Sequence, residues 1–162
     1  MSSQDYEEFI AALNDHGVRY VVIGAHAVAF HARPRATKDL DILLDPTAAN
    51  ARRVLDALRD FFGGADPGYT VADLTDPQWI IQLGVAPVRI DLASQIPGCP
   101  NFEAVWRNRA EAHFGSVKAY YLGLDDLIRA KEAAGRTQDL ADVRVLRRAK
   151  GAKKTTERCE SG

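Results

Sequence analysis

The fold class this sequence predicts is α+β: one domain with a mixed, mostly antiparallel sheet, helices packed on it and a helix pair at the C-terminal end. Three observations lead there. Short β-branched runs such as "YVVI" and "VRIDLA" are bounded by Gly and Pro. Segments with apolar residues at helical spacing fall between them. Two further helical segments, separated by "GRT", close the ordered part of the chain. The 162 residues fit a single domain over 1–150, and 46% hydrophobic residues suffice to bury a core.

The elements follow in order. Residues 5–15 place Phe9, Ile10 and Leu13 on one helical stripe, closed by His16-Gly17. "RYVVIG" (19–24) reads as a strand, and "AHAVAFHA" (25–32) as a compact helix stopped by Arg33-Pro34, because a residue before proline is steered away from helix. "DLDILL" (39–44) is the next strand. Asp45-Pro46 then opens a helix as N-cap and first helical residue, and Gly63-Gly64 ends it. The middle reads as three strands, "YTVAD", "WIIQLG" and "VRIDLAS". "NFEAVWRNR" is a short helix and "HFGSVKAYYL" a hairpin or a last edge strand. "LDDLIRAKEAA" is a helix capped by Asp125 and ended by Gly135 in the left-handed conformation. "QDLADVRVLRRA" is another, capped by Thr137. Residues 151–162 are polar and read as a disordered tail.

Bulk properties exclude several classes. No apolar run reaches the roughly 18 residues of a membrane span, and the N-terminus lacks a leader pattern, so the expectation is a cytoplasmic protein. Cys99 and Cys159 have neither disulfide-framework nor zinc spacing. His26 and His31 match no metal spacing, and His26 reads as a residue of a pocket wall. The net charge of −1 conceals an asymmetry: residues 144–158 carry seven basic side chains against one acid. That stretch is either a solvated face or a contact for nucleic acid or an acidic partner.

The chemistry concentrates in "RATKDLDILLD" (35–45). In a strand Asp39 and Asp41 project from one face about 6–7 Å apart, while Leu40, Ile42 and Leu44 turn to the core. Two like charges that close raise each other's pKa unless a cation joins them, and oxygen-only ligands suit Mg²⁺ or Mn²⁺. Asp91, in "VRIDLAS", completes a three-carboxylate cluster if its strand lies beside 39–44, the set that two-metal phosphoryl transfer needs. Upstream, the strand–Gly24–helix junction offers helix N-terminal amides to a phosphate. The bland readings stand beside these: Gly24 as a tight turn, and the acids as partners of Lys38, Arg33, Arg35 and Arg89. Lys131 shares a helical stripe with Leu124, Leu127 and Ile128, so it requires a phosphate or an acid such as Asp142.

These motifs together resemble the nucleotidyltransferase superfamily related to DNA polymerase β, over roughly residues 18–146. The family's pattern is a strand ending in Gly-Gly or Gly-Ser, a short helix, D-x-D on the next strand and a later third Asp. The counterparts here are Gly24-Ala25, Asp39-Leu40-Asp41 and Asp91. "RATKDLDILL" is similar to a form found in small bacterial members, the AbiEii-type toxin group and the minimal nucleotidyltransferases. Lys131, Arg136, Asp139 and Asp142 match that group's K-x4-R and D-x-x-D helices. The resemblance implies a nucleotidyltransferase-like fold that moves an NMP from an NTP to a hydroxyl on RNA or protein. Asp39, Asp41 and Asp91 would be catalytic and hold Mg²⁺ or Mn²⁺. Gly24, Ala25, Arg35, Thr37, Lys131 and Arg136 would bind the nucleotide. It also implies a role in toxin–antitoxin or abortive-infection systems with a cognate partner. The rival is a catalytically weak antitoxin or partner-binding module of the same fold. Ala25 departs from the family's Ser or Gly and removes a hydroxyl from the phosphate site.

Overall fold

The computed structural model describes residues 3–34, 39–85 and 88–160. The N-terminal part is a helix–strand–helix–strand–helix run: α1 (Ser3–Asp15), β1 (Tyr20–Ile23), α2 (Gly24–His31), β2 (Leu40–Leu44) and α3 (Ala48–Phe61). After α4 (Val71–Thr75) comes the hairpin of β3 (Ile80–Val85) and β4 (Val88–Ala93). Then α5 (Phe102–Arg107) leads to a second hairpin, β5 (Ala110–Phe114) and β6 (Val117–Tyr121), and the chain ends in α6 (Leu124–Ala134) and α7 (Thr137–Glu160).

The six strands form one sheet in the order β3-β4-β2-β1-β6-β5. Pairs β3/β4, β1/β2 and β5/β6 are antiparallel, whereas β2/β4 and β1/β6 are parallel, so the expected mixed, mostly antiparallel sheet is present. Helices α1, α3 and α4 pack as one group, and α2 packs with α6 and α7 as a second.

Alternation along the strands sets the core. Leu40 and Ile42 of β2 and Ile90 and Leu92 of β4 are buried, as are Ile81 and Leu83 of β3, while Ile80 stays exposed. The stripe Phe9, Ile10, Leu13 of α1 is fully buried, as its spacing requires. Among the described residues, no helix is long and apolar enough to cross a membrane.

Several boundaries differ from the sequence reading, each for a local reason. Thr47, not Asp45, caps α3, its hydroxyl accepting from the Asn50 N–H at 3.3 Å. Asp45 is buried and faces Arg19 at 3.2 Å instead. "YTVAD" is not a strand: Thr70 and Asp73 form a reciprocal capping box, which starts α4 at Val71 and overrides the β-propensity of Tyr, Thr and Val. The cap position of α6 is Gly123, with no side-chain hydrogen bond, and Asp125 pairs with Lys150 at 2.6 Å. Gly135 does end α6 in the left-handed conformation, at φ 68°. Finally, α7 runs through Glu160 where a disordered tail is expected. Gly151 alone costs only about 1 kcal/mol in a helix, and its neighbours are mostly good helix formers.

Candidate functional site

The site is built where β2 meets β4 and α2. The parallel register sets Asp41 directly opposite Asp91, and β1 on the other side sets Ile23 opposite Asp41. Asp39 immediately precedes β2. The three carboxylates that the D-x-D and the later aspartate announce therefore do meet at one place on the sheet.

Gly24 decides how close Asp41 comes to the helix. It has φ 68°, and a Cβ there would lie 2.3 Å from Asp41 Oδ2 and 3.1 Å from its Cγ. Only glycine takes that backbone conformation without strain and also leaves room for the carboxylate. Asp41 thus rests against the first residue of α2. The N-cap residue Ile23 gives no side-chain hydrogen bond, so the amides of the first turn are not taken by a capping group. Ala25 sits in that turn.

Burial first, then Asp91 and Asp39, push the Asp41 carboxyl up to about 6. Arg89 opposes this. It lies two residues before Asp91 on an alternating strand, and its Nε stands 3.2 Å from Asp91 Oδ1 and 3.7 Å from Asp39 Oδ2. At 3.2 Å the charges pair, but the alignment is not that of a hydrogen bond: Arg89 Nε and Asp91 Oδ1 are both buried and find no hydrogen-bond partner among the described residues. Among the described residues, the cluster thus combines crowded acids, the Arg89 cation beside them and an acceptor oxygen with nothing donated to it.

Two aromatic rings wall the site. The Tyr6 hydroxyl of α1 donates to the Arg89 carbonyl at 3.2 Å, and its pKa is raised by burial and then by Asp39. His26 packs edge-on against Tyr6 and tilted against Phe114, at 6.0 and 5.2 Å between ring centres. Burial lowers its pKa while Asp39 works the other way, so the expected pocket-wall position of His26 is beside the acids. Sequence reasoning missed Tyr6, which no local pattern connects to residues some eighty positions away. Arg89 appeared there only as a bland partner of the acids, although its two-residue offset from Asp91 already put both on one face.

Lys131 and Arg136 are engaged by the acids of α7. Lys131 Nζ lies 3.3 Å from Asp139 Oδ1 and 3.1 Å from Asp142 Oδ2, and Arg136 Nε donates to Asp139 Oδ2 at 2.7 Å. Asp139 and Asp142 are both buried, and Gln138 donates to Asp142 at 3.1 Å. The Arg136 hydrogen bond, followed by Lys131, holds the Asp139 carboxyl below the ordinary range against its burial. This is the ion-pair clamp between α6 and α7, one of the two readings open for Lys131. Arg35 and Thr37 lie outside the described residues, as do Lys38 and its pairing.

Three carboxylates, all oxygen donors, with a buried Asp91 oxygen that accepts no hydrogen bond from the described residues, suit a hard divalent cation. Among the described residues, no three such side chains stand close enough to hold a metal as they are, and Arg89 supplies the countercharge. The donor chemistry suits such a cation, while the carboxylates as placed pair with Arg89.

The fold is similar to that of an antigenic nucleotidyltransferase-like protein from Paracoccidioides brasiliensis, with a TM-score of 0.55. That likeness covers 89% of this chain and 75% of the other at 12% identity, and it speaks to the fold alone. No functionally curated protein matches the sequence. A family model described as a nucleotidyltransferase of unknown function (DUF6036) matches residues 4–147, and the chain, with its paired acids at a glycine-started helix, belongs to that family.

Proposed function

We propose that the protein is a metal-dependent nucleotidyltransferase that moves an NMP from an NTP to a hydroxyl acceptor on RNA or protein. The observation that carries this reading is the packing of Asp41, in register beside Asp91, against Gly24 at the start of α2. An acid cluster next to helix amides serves a ligand that bears negative phosphates and needs positive ions to join them.

In this reading Asp39, Asp41 and Asp91 hold Mg²⁺ or Mn²⁺. When bound, the metal supplies neutralisation of phosphate charge and a lower pKa for the attacking hydroxyl. The first-turn amides at Gly24 and Ala25 receive the phosphates through the backbone, so Ala25 needs no hydroxyl for that contact. Asp91 takes the proton as the acceptor oxygen bonds to the α-phosphorus and pyrophosphate leaves. His26 and Tyr6 close the side of the cluster. Lys131 and Arg136 act by fixing α7 on α6.

Arg89 favours a second reading, a catalytically weak module whose acids are already satisfied by a side chain. Calorimetric titration of each NTP with Mg²⁺, on wild type and on Asp39→Asn/Asp41→Asn, separates the two. Binding that needs metal and disappears in the double variant is the expected result. No binding to any NTP would overturn the enzyme reading and leave the module.

A further inference from the structure

The helix pair α6/α7 carries a second built feature, separate from the carboxylates. A cavity of about 470 Å³ is lined by Gly123, Leu124, Asp126, Arg129, Lys150 and Lys153, among others. A neighbouring one of about 330 Å³ shares Arg129 and Lys150 and adds Arg147. Together they form a groove within the size range of ligand sites, with cations from both helices along it. On α7 the positions 147, 150 and 153 recur every three residues, a row with a rise of about 4.5 Å per step. At the inner end, α6 starts at Gly123, a buried residue packed against the Asn108 carbonyl, with no side-chain cap.

The acids in the groove are engaged. Asp126 is buried, facing Arg129 at 2.6 Å and Asn108 at 3.5 Å. Asp125 pairs with Lys150 and Glu132 with Arg147 at exposed positions, where an ion pair is weak and a phosphate displaces it readily.

An exposed aromatic ring stands on α2, the helix that packs against both α6 and α7. Phe30 of α2 is 41% exposed and stacks on Tyr121 at 4.3 Å and 15°. The next residue, His31, bonds the Leu122 carbonyl at 2.6 Å, one position before Gly123. A cationic groove ending at an open ring is the arrangement that holds single-stranded nucleic acid, with phosphates on the cations and a base on the ring. Helix α2 also connects this ring to the acids: Gly24 at one end touches Asp41, and eight residues span about 12 Å. Phe30 and His26 share one face of that helix, four residues apart.

We propose that the α6/α7 groove binds single-stranded RNA, with Arg129, Lys150 and Lys153 on its phosphates and Phe30 under a base. The bound strand leads along α2 toward Asp39, Asp41 and Asp91. The binding stands without the nucleotidyl-transfer reading. Only the strand's role as acceptor rests on that reading.

The test is fluorescence anisotropy of a labelled twelve-nucleotide oligoadenylate RNA with the full chain, without metal or NTP, over a range of NaCl concentrations. Wild type is expected to bind with an affinity that falls steeply with salt. Single strands lose about 0.7 in log–log slope per cation, so Lys150→Ala/Lys153→Ala is expected to flatten it by about 1.4. Lys153→Ala alone is expected to flatten it by about half of that. Phe30→Ala is expected to weaken binding on the order of tenfold with the slope unchanged. Because the assay contains neither metal nor NTP, RNA binding is expected even if NTP binding fails in every form of the protein. The proposal is overturned if no RNA binds at low salt or if the lysine variants, with unaltered melting, bind as wild type. It is also overturned if polyglutamate of similar length competes equally, which indicates an acidic protein, or if pyrophosphate binds and RNA does not.

Discussion

Replacing Gly24 by alanine tests the candidate site at its tightest contact. The φ of 68° puts an L-residue in the left-handed region, which costs about 1–2 kcal/mol. For a domain of this size that lowers Tm by about 2–8 °C. The larger effect is local. The new methyl would lie 2.3 Å from Asp41 Oδ2, where ordinary contact starts near 3.4 Å, so the oxygen must retreat by about 1 Å. A carboxylate end swings at little cost in stability, yet a displacement of about 1 Å at a reacting centre can cost on the order of 100-fold in rate. The expected outcome is a modest fall in Tm with a disproportionate loss of metal-dependent NTP binding, about tenfold or more. Calorimetry and thermal melts on Gly24→Ala, Asp41→Ala and the double variant read both effects. In the Asp41→Ala background the alanine should add only its backbone strain. If Gly24→Ala melts lower but binds NTP like wild type, the position of Asp41 is not what the site depends on, and the reasoning fails.

Asp139→Asn leaves Lys131 and Arg136 without their shared carboxylate in a buried clamp, and is expected to cost about 3 kcal/mol, measured by urea unfolding at pH 7. Because the folded-state pKa of Asp139 is depressed, its contribution is present above the ordinary value of 3.8 and disappears as pH falls below it. The stability gap between wild type and Asp139→Asn should therefore narrow in acid, and a gap that widens below pH 4 contradicts the clamp. Thr70→Ala removes one arm of the capping box and should lower Tm by about 2–4 °C while leaving nucleotide binding unchanged.

The legible part of this protein follows from period and punctuation. Leu40 and Ile42 alternate with the acids in a way only a strand satisfies, and Gly63-Gly64 and Gly135 stop their helices. Spacing therefore points to Asp39 and Asp41, and the β-rich run to Asp91, as candidate site residues. Their union needed one fact that spacing does not contain, the parallel β2/β4 register across fifty residues. The capping box at Thr70 was readable but was outvoted by the β-propensity of its neighbours. The Thr47 cap lost to Asp45 because a carboxylate one step from proline imitates a cap; the decision came from Arg19, which draws Asp45 away at 3.2 Å. Tyr6 left no local signal, because a residue that reaches the site from α1 is placed by tertiary packing.

The strand order has a consequence for how the molecule comes into being. The two central strands, β1 and β2, are the first made, within a run that is contiguous in sequence from α1 to α3. The hairpins come later in the chain and flank these strands, β3/β4 on one side and β5/β6 on the other, each paired within itself. Ribosomes release about 5–20 residues per second, so Asp39 and Asp41 leave seconds before Asp91. An emerging chain carries two-thirds of its acid cluster on an open strand flank that the third acid has yet to cover. The loop closure that docks β4 completes the centre of the sheet and the carboxylate cluster in one event. A chain in which β4 has not docked on β2 therefore lacks the third carboxylate beside Asp39 and Asp41.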